Sequence, residues 1–326
     1  MKDKVVVVGG GGGFIGGHLV AALNAKGLRV RAVDIKPLDQ WYQRFEGVEN
    51  VVGDLKLLDV SRQACADADT VYQLASDMGG MGFIEHNKAL CMLSVLTNTH
   101  MLQAARESDV KRFFYASSAC VYNADKQTDP DVTALKEEDA YPAMPEDGYG
   151  WEKLFSERMC RHFREDFGLP TRIARYHNVY GPHGTWDGGR EKAPAAMCRK
   201  VLEAIRTGAG EIEIWGDGHQ TRSFTYIDDC VKGTLDLTAS AVIDPINIGS
   251  SELVSINQLA DIVEEIGGVK LKRRYNLNAP KGVNGRNSDN TRIQQELDWE
   301  PSIRLRDGME RTYRWIEAEY ERKHGA

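Results

Sequence analysis

The sequence predicts an α/β protein built on a doubly wound parallel sheet, with a smaller α/β unit interwoven towards its C-terminus. Three observations carry this. A run of valines feeds a glycine-rich turn that opens an amphipathic stretch. Strand-like runs and helical periods then alternate through the first half of the chain, as parallel strands joined by crossover helices require. Beyond residue 175 the chain becomes richer in Gly, Pro and Trp, with no linker, repeat or low-complexity tract to separate it.

A length of 326 residues suits a large α/β domain carrying a smaller one. The expected division is 1–175, with a later return of the chain near 220–250, and 176–326. A composition of 42% hydrophobic and 27% charged residues is that of an ordinary globular chain. The net charge of −7 argues against a nucleic-acid surface, which needs a basic face. The N-terminal apolar run is too short for a signal segment or a membrane span, so no membrane partner is expected. The cysteines at 65, 91, 120, 160, 198 and 230 form no Cys-x-x-Cys pair and no zinc spacing. No metal is expected, and the thiols read as reduced, in a cytoplasmic protein.

Val5 to Val8 is a β-branched run, the pattern of a strand buried on both faces. Gly10, Gly13 and Gly16, with Phe14 and Ile15 between the last two, follow it as Gly-x-x-Gly-x-x-Gly before a helical period. A glycine run alone reads as a linker. Between a strand and a helix it reads as a dinucleotide turn, because the backbone must bend sharply and approach a pyrophosphate at a helix N-terminus. The second strand, 29–33, ends in Asp34, 18 residues beyond Gly16. An acid at this offset accepts hydrogen bonds from ribose hydroxyls and repels a 2′-phosphate, so NAD is favoured over NADP. Lys36 weakens that preference. A third strand is expected at 51–55, where Asp54 either holds an adenine amino group or caps the next turn. A fourth is expected at 70–75, followed by a flexible loop at 76–83 that folds over a ligand. The period from 85 to 107 predicts one long amphipathic helix, suited to dimer contacts or to core packing.

The next strand, 112–116, delivers Ser118 to a carboxyl end. Downstream, Tyr149 and Lys153 lie four residues apart, one helical turn on the same face. A free phenol, with a pKa of about 10, is a poor base at neutral pH; a neighbouring ammonium lowers that value. Ser118, Tyr149 and Lys153 can together take a proton from a sugar hydroxyl while a cofactor accepts the hydride. The turn-rich segments 177–182, 184–194, 215–222 and 285–289 contain Arg, Asn and Gln, residue types that suit a pocket for phosphates and sugar hydroxyls. Each taken alone also reads as a surface turn.

Together these residues resemble the extended short-chain dehydrogenase/reductases that act on nucleotide sugars, a Rossmann-type fold. Ser118-Ala119-Cys120, the segment 188–196 from Gly188 through Arg190-Glu191-Lys192 to Ala196, Trp215-Gly216-Asp217-Gly218 and 285–290 resemble the GDP-mannose 3,5-epimerase family. Departures are mild: Gly16 stands where the family has alanine, and Asn123 where proline or glycine is usual.

The resemblance implies enzyme-bound NAD, a GDP-sugar substrate and a homodimer. It implies oxidation at C4, which makes both C3 and C5 α to a carbonyl. Cys120 is then assigned as base and Lys192 as acid, with the reverse assignment open. Both must shift down from about 8.5 and 10.4 to work near neutrality. The resemblance places the substrate against Gly79, Ser118, Ala119, Cys120, Asn178, Glu191, Lys192, Ala193, Lys200, Gln220, Thr221, Arg222 and Arg286, with Arg222 and Arg286 on the diphosphate. The competing expectations are another nucleotide-sugar 4-epimerase or decarboxylase and, more remotely, a non-catalytic NAD-bound sensor.

Overall fold

The valine run is an interior strand of the large sheet, flanked by the strands Arg29–Asp34 and Ala68–Gln73. In the computed structural model, which describes residues 4–325, the chain runs β1 (Val5–Gly9), α1 (Phe14–Ala25), β2 (Arg29–Asp34), β3 (Glu49–Val52), α2 (Leu58–Cys65) and β4 (Ala68–Gln73). Three short helices follow, α3 (Met81–His86), α4 (Lys88–Met92) and α5 (Ser94–Glu107), then β5 (Arg112–Ser118), α6 (Asp147–Phe167) and β6 (Thr171–Tyr176). Side chains alternate across β1 as a strand requires. Val5 and Val7 pack with Met101, Leu102 and Cys160 on one face; Val6 and Val8 pack with Leu19, Val20 and Cys230 on the other. That two-sided burial is what a continuous apolar run encodes.

Two expected strands lie earlier than predicted. β3 and β4 end at Val52 and Gln73, and Gly53, Asp54, Leu74 and Ala75 leave the sheet to line a cavity at its carboxyl edge. The expected single helix at 85–107 is broken. Asn87 adopts φ −130 and ψ 41, and its amide donates to the Phe83 carbonyl at 2.9 Å, satisfying a helix end. The break lets α4 lie against the start of α6, where a Cβ on Gly148 would sit 2.7 Å from the Lys88 carbonyl. The expected flexible loop at 76–83 is partly helical, since α3 begins at Met81.

The second half is β7 (Val179–Tyr180), α7 (Ala193–Thr207), β8 (Glu211–Trp215), β9 (Thr221–Ser223), β10 (Thr225–Tyr226), α8 (Ile227–Ala239), β11 (Ile246–Ile248), β12 (Leu253–Ser255), α9 (Ile256–Gly267), β13 (Lys272–Asn276), β14 (Gly285–Arg286), α10 (Thr291–Leu297) and α11 (Leu305–His324). The seven-stranded parallel sheet has the order β11-β6-β5-β4-β1-β2-β3, a doubly wound α/β arrangement. Three small sheets, β7–β10, β12–β9–β14 and β8–β13, stand beyond its carboxyl edge. Buried Val201, Leu202, Leu259, Val263, Met309 and Ile316 join α7, α9 and α11 in the same core as β1. No helix among the described residues is long and apolar enough to cross a membrane.

Candidate active site

The glycine turn forms a cradle that side chains would fill. Gly10 has φ +80, and a Cβ on Gly16 would lie 2.0 Å from the Gly10 carbonyl. Gly10, Gly13, Phe14, Ile15, Gly16, Asp34, Asp54, Tyr149 and Lys153 all line one cavity of about 380 Å³. Asp34 closes β2 and accepts from the Lys36 backbone N–H at 3.0 Å. The Lys36 ammonium folds back onto the Gly12 carbonyl at 2.7 Å. Asp54 accepts from the Lys56 N–H at 2.9 Å, so it caps its turn while still lining the cavity. A backbone cradle at a helix N-terminus, with an acid at the end of β2, fits a dinucleotide.

Ser118 is the last residue of β5, and Tyr149 lies in the first turn of α6. Lys153 follows one turn later: its ammonium stands 5.5 Å from the Tyr149 ring centroid and donates to the Ala116 carbonyl at 3.2 Å. Glu152 lies behind it, 3.6 Å from the ammonium, and accepts from Tyr115 and Ser156. The direction expected for Tyr149 is reversed. Burial pushes its phenol well up, with Cys120 and Glu152 adding to the rise and a Ser118 hydrogen bond opposing it. Dehydration of the phenolate is the largest cause in this geometry.

Cys120 sits in the 3-10 turn Ala119–Val121, its N–H held by the Ser118 hydroxyl at 3.2 Å. Burial and the Glu146 carboxylate raise its thiol, while Arg286 pulls the other way. This again reverses the expected downward shift. Lys192 moves as expected: burial lowers its ammonium. Cys120 and Lys192 line a second cavity of about 930 Å³, as do Gly79, Ala119, Asn178, Glu191, Ala193, Lys200, Gln220, Arg222 and Arg286. The two cavities share Ser118, Tyr149 and Lys192 as walls. Hydride acceptor, hydroxyl base and ring acid/base groups would therefore meet at one place.

Thr221 does not join them. Its hydroxyl donates to the Pro130 carbonyl, because alternate residues of a strand face opposite ways and Gln220 and Arg222 take the cavity side. The two arginines also differ. Arg222 donates to the carbonyls of Thr221, Lys281 and Val283 at 2.7, 3.1 and 2.6 Å. Burial and the nearby Arg286 lower it to about 10, the state of a cation short of compensation. Arg286 donates to Gln127 at 2.7 Å, to the Glu146 carboxylate at 2.8 Å and to the Cys120 sulfur at 3.5 Å. Its charge is shared between the Glu146 carboxylate and the Cys120 thiol, while the residue still lines the cavity.

Two glycine-bearing loops roof the cavity. The Gly80 N–H donates to the Arg190 carbonyl at 3.0 Å, and the Arg190 guanidinium lies 3.9 Å over the Phe83 ring. A Cβ on Gly80 would come 2.4 Å from the Glu191 carbonyl, so only glycine allows this approach. Sequence reasoning missed Glu146, Gln127 and Lys281. Glu146 precedes Tyr149 by three residues, but nothing in that spacing signals a carboxylate beside Arg286.

The model of the NAD dependent epimerase/dehydratase family matches residues 6–249. GDP-mannose 3,5-epimerase 1 of Oryza sativa subsp. indica is 46% identical over 319 residues, covering 98% of this chain and 83% of that protein. Among solved structures, UDP-glucose 4-epimerase of Thermotoga maritima superposes with a TM-score of 0.87 at 23% identity, covering 98% and 100% of the two chains. UDP-glucuronic acid 4-epimerase of Bacillus cereus, solved with UDP-glucuronic acid and NAD, superposes with a TM-score of 0.82 at 26% identity, covering 97% and 100%.

Proposed function

The chain belongs to the NAD dependent epimerase/dehydratase family, and we propose that it is an NAD-dependent isomerase inverting C3 and C5 of GDP-mannose. The observation that carries this reading is the placement of Cys120 and Lys192 in the cavity whose wall also holds Ser118 and Tyr149. An enzyme that only oxidises and reduces a sugar carbon needs the serine and tyrosine. It has no use for a thiol and an amine besides.

A sugar ring C–H is too weakly acidic for a side chain to remove. NAD, when bound, supplies the hydride acceptor at C4 and returns the hydride at the end. Tyr149, once it has passed its own phenol proton to solvent, takes the C4 hydroxyl proton, with Lys153 beneath it and Ser118 sharing the oxygen. The C4 ketone acidifies C3–H and C5–H together. Both hydrogens of mannose project from the same face of the ring, so one base serves both carbons and one acid the opposite face. We assign Cys120 as that base and Lys192 as that acid. Cys120 must give up its resting proton first; between the two inversions it must lose the proton it has taken and Lys192 must regain one, so one proton passes from thiol to amine through solvent. Ser118 and Tyr149 stabilise the enolate oxygen.

Arg222 is the cation for the diphosphate, with Lys200 and Gln220 along the same cavity. The cofactor side comprises residues 1–175 with the return near 220–250, and the nucleotide-sugar side mainly 176–326. The enzyme works as a homodimer, supported by apolar Met92, Leu93, Leu96, Trp151 and Phe155, each 40–52% exposed on α4 to α6. A cytoplasmic location accords with six free cysteines.

Incubation with GDP-mannose followed by product identification tests the reading. GDP-L-galactose with GDP-L-gulose is the expected outcome. Conversion of a UDP- or dTDP-sugar with GDP-mannose left untouched would overturn it.

A further inference from the structure

Arg286 is one cation with two claimants. Its Nη1 reaches the Cys120 sulfur at 3.5 Å and its Nη2 the Glu146 carboxylate at 2.8 Å. The ion pair is nearly dry, with the arginine side chain 4% and the glutamate 13% exposed. Glu146 is fixed by its own backbone, whose N–H donates to the Cys120 carbonyl at 2.9 Å. The second carboxylate oxygen, Oε1, is buried with no hydrogen-bond partner, an arrangement that costs free energy.

A guanidinium against a sulfur favours the thiolate; a carboxylate against the same sulfur favours the thiol. The remaining ionisable groups around Cys120 are Arg222 on β9, Lys192 before α7, Tyr149 on α6 and Cys91 on α4. None of them is a carboxylate. Glu146 is thus the one anion set against the base form of Cys120 in this cluster, and it also neutralises the cation that would favour that form.

We propose that Glu146 is a positioning residue for the ring-proton chemistry: it shares Arg286 with Cys120 and sets the pH at which Cys120 becomes a base. The proposal rests on reading Cys120 as the base. No group is consumed by this role, since Glu146 acts through Arg286 and keeps its charge throughout. Replacing it by the isosteric amide leaves the guanidinium's full charge on the sulfur.

The test is the pH dependence of Cys120 alkylation by iodoacetamide in the purified enzyme, with Cys120→Ala marking the background from the other five cysteines. Glu146→Gln is expected to lower the alkylation midpoint by about one pH unit or more, the size of a removed opposing charge at this range. Arg286→Gln is expected to raise it. The acid limb of the epimerisation profile should move down with Glu146→Gln by the same amount. An unchanged midpoint in Glu146→Gln would overturn the proposal. Should that variant fail to fold, an unchanged midpoint in Arg286→Gln overturns it equally. The alkylation readout needs no substrate, so it stands apart from failure of the epimerase reading itself. A shifted midpoint with no turnover of GDP-mannose would sink the latter alone.

Discussion

The oxidation set and the inversion set share a wall but are built differently. Ser118, Tyr149 and Lys153 come from the end of β5 and the first turns of α6, adjoining elements of the large sheet. Cys120, Lys192 and Glu146 come from a 3-10 turn, a loop end and the residue before a helix, and Arg286 from a two-residue strand. The first set is anchored by regular structure and fits any nucleotide sugar to be oxidised. The second depends on loops clasped across the cavity, and in the proposed reaction it is the part that makes the chemistry a double inversion. The general step is written into the sheet and the particular one into its connections.

Variants should separate the two sets. The largest loss is expected from Tyr149→Phe, which removes the only route for the C4 hydroxyl proton. Cofactor reduction and ring-proton exchange should fall together by about 10³- to 10⁴-fold, read by absorbance of the reduced cofactor and by deuterium uptake. Cys120→Ala should split them. Exchange should drop by about 10²- to 10³-fold while cofactor reduction persists. Equal loss of both would merge the two sets into one. The wild-type exchange rate should also rise with pH through a limb above the ordinary thiol value of about 8.5, because burial and Glu146 hold the proton on Cys120. It should fall again once Lys192 loses its proton, below its ordinary value of about 10.4, because burial lowers that ammonium.

Smaller effects sharpen the contrast between the arginines. Arg222→Gln should weaken GDP binding by about 10- to 100-fold, the size of a lost charge-assisted contact. The ligand-free fold should melt slightly earlier, since the carbonyls of Thr221, Lys281 and Val283 lose their donor; melting curves with and without GDP check both. Smallest of all, Asp34→Ala should improve NADP binding about five- to tenfold by removing one like-charge repulsion of about 1 kcal/mol. Fluorescence titration with both cofactors measures it.

What could be read in the sequence follows the same division. The valine strand, the glycine turn and the Tyr149/Lys153 spacing are local patterns, and each falls in the structure where its period puts it. The break at Asn87 is not legible in the sequence, because the packing of α4 on α6 that it accommodates is a contact between distant residues. Thr221 belongs to the resembling segment 220–222, and the strand's alternation turns it away. The pair Glu146–Arg286 spans 140 residues, and neither partner carries a local signal of the other. The directions at Tyr149 and Cys120 were misread for a related reason. Their cationic neighbours are visible in the sequence or in the resemblance, whereas burial is a property of the assembled site.

In the proposed reaction one C4 oxidation opens two neighbouring carbons to the Cys120/Lys192 pair. Turnover of GDP-mannose in D₂O, followed by NMR of the recovered sugars, tests it. Solvent deuterium is expected at C3 and C5 and none at C4, where the original hydride returns. Inverted product carrying no deuterium at either C3 or C5 would contradict it.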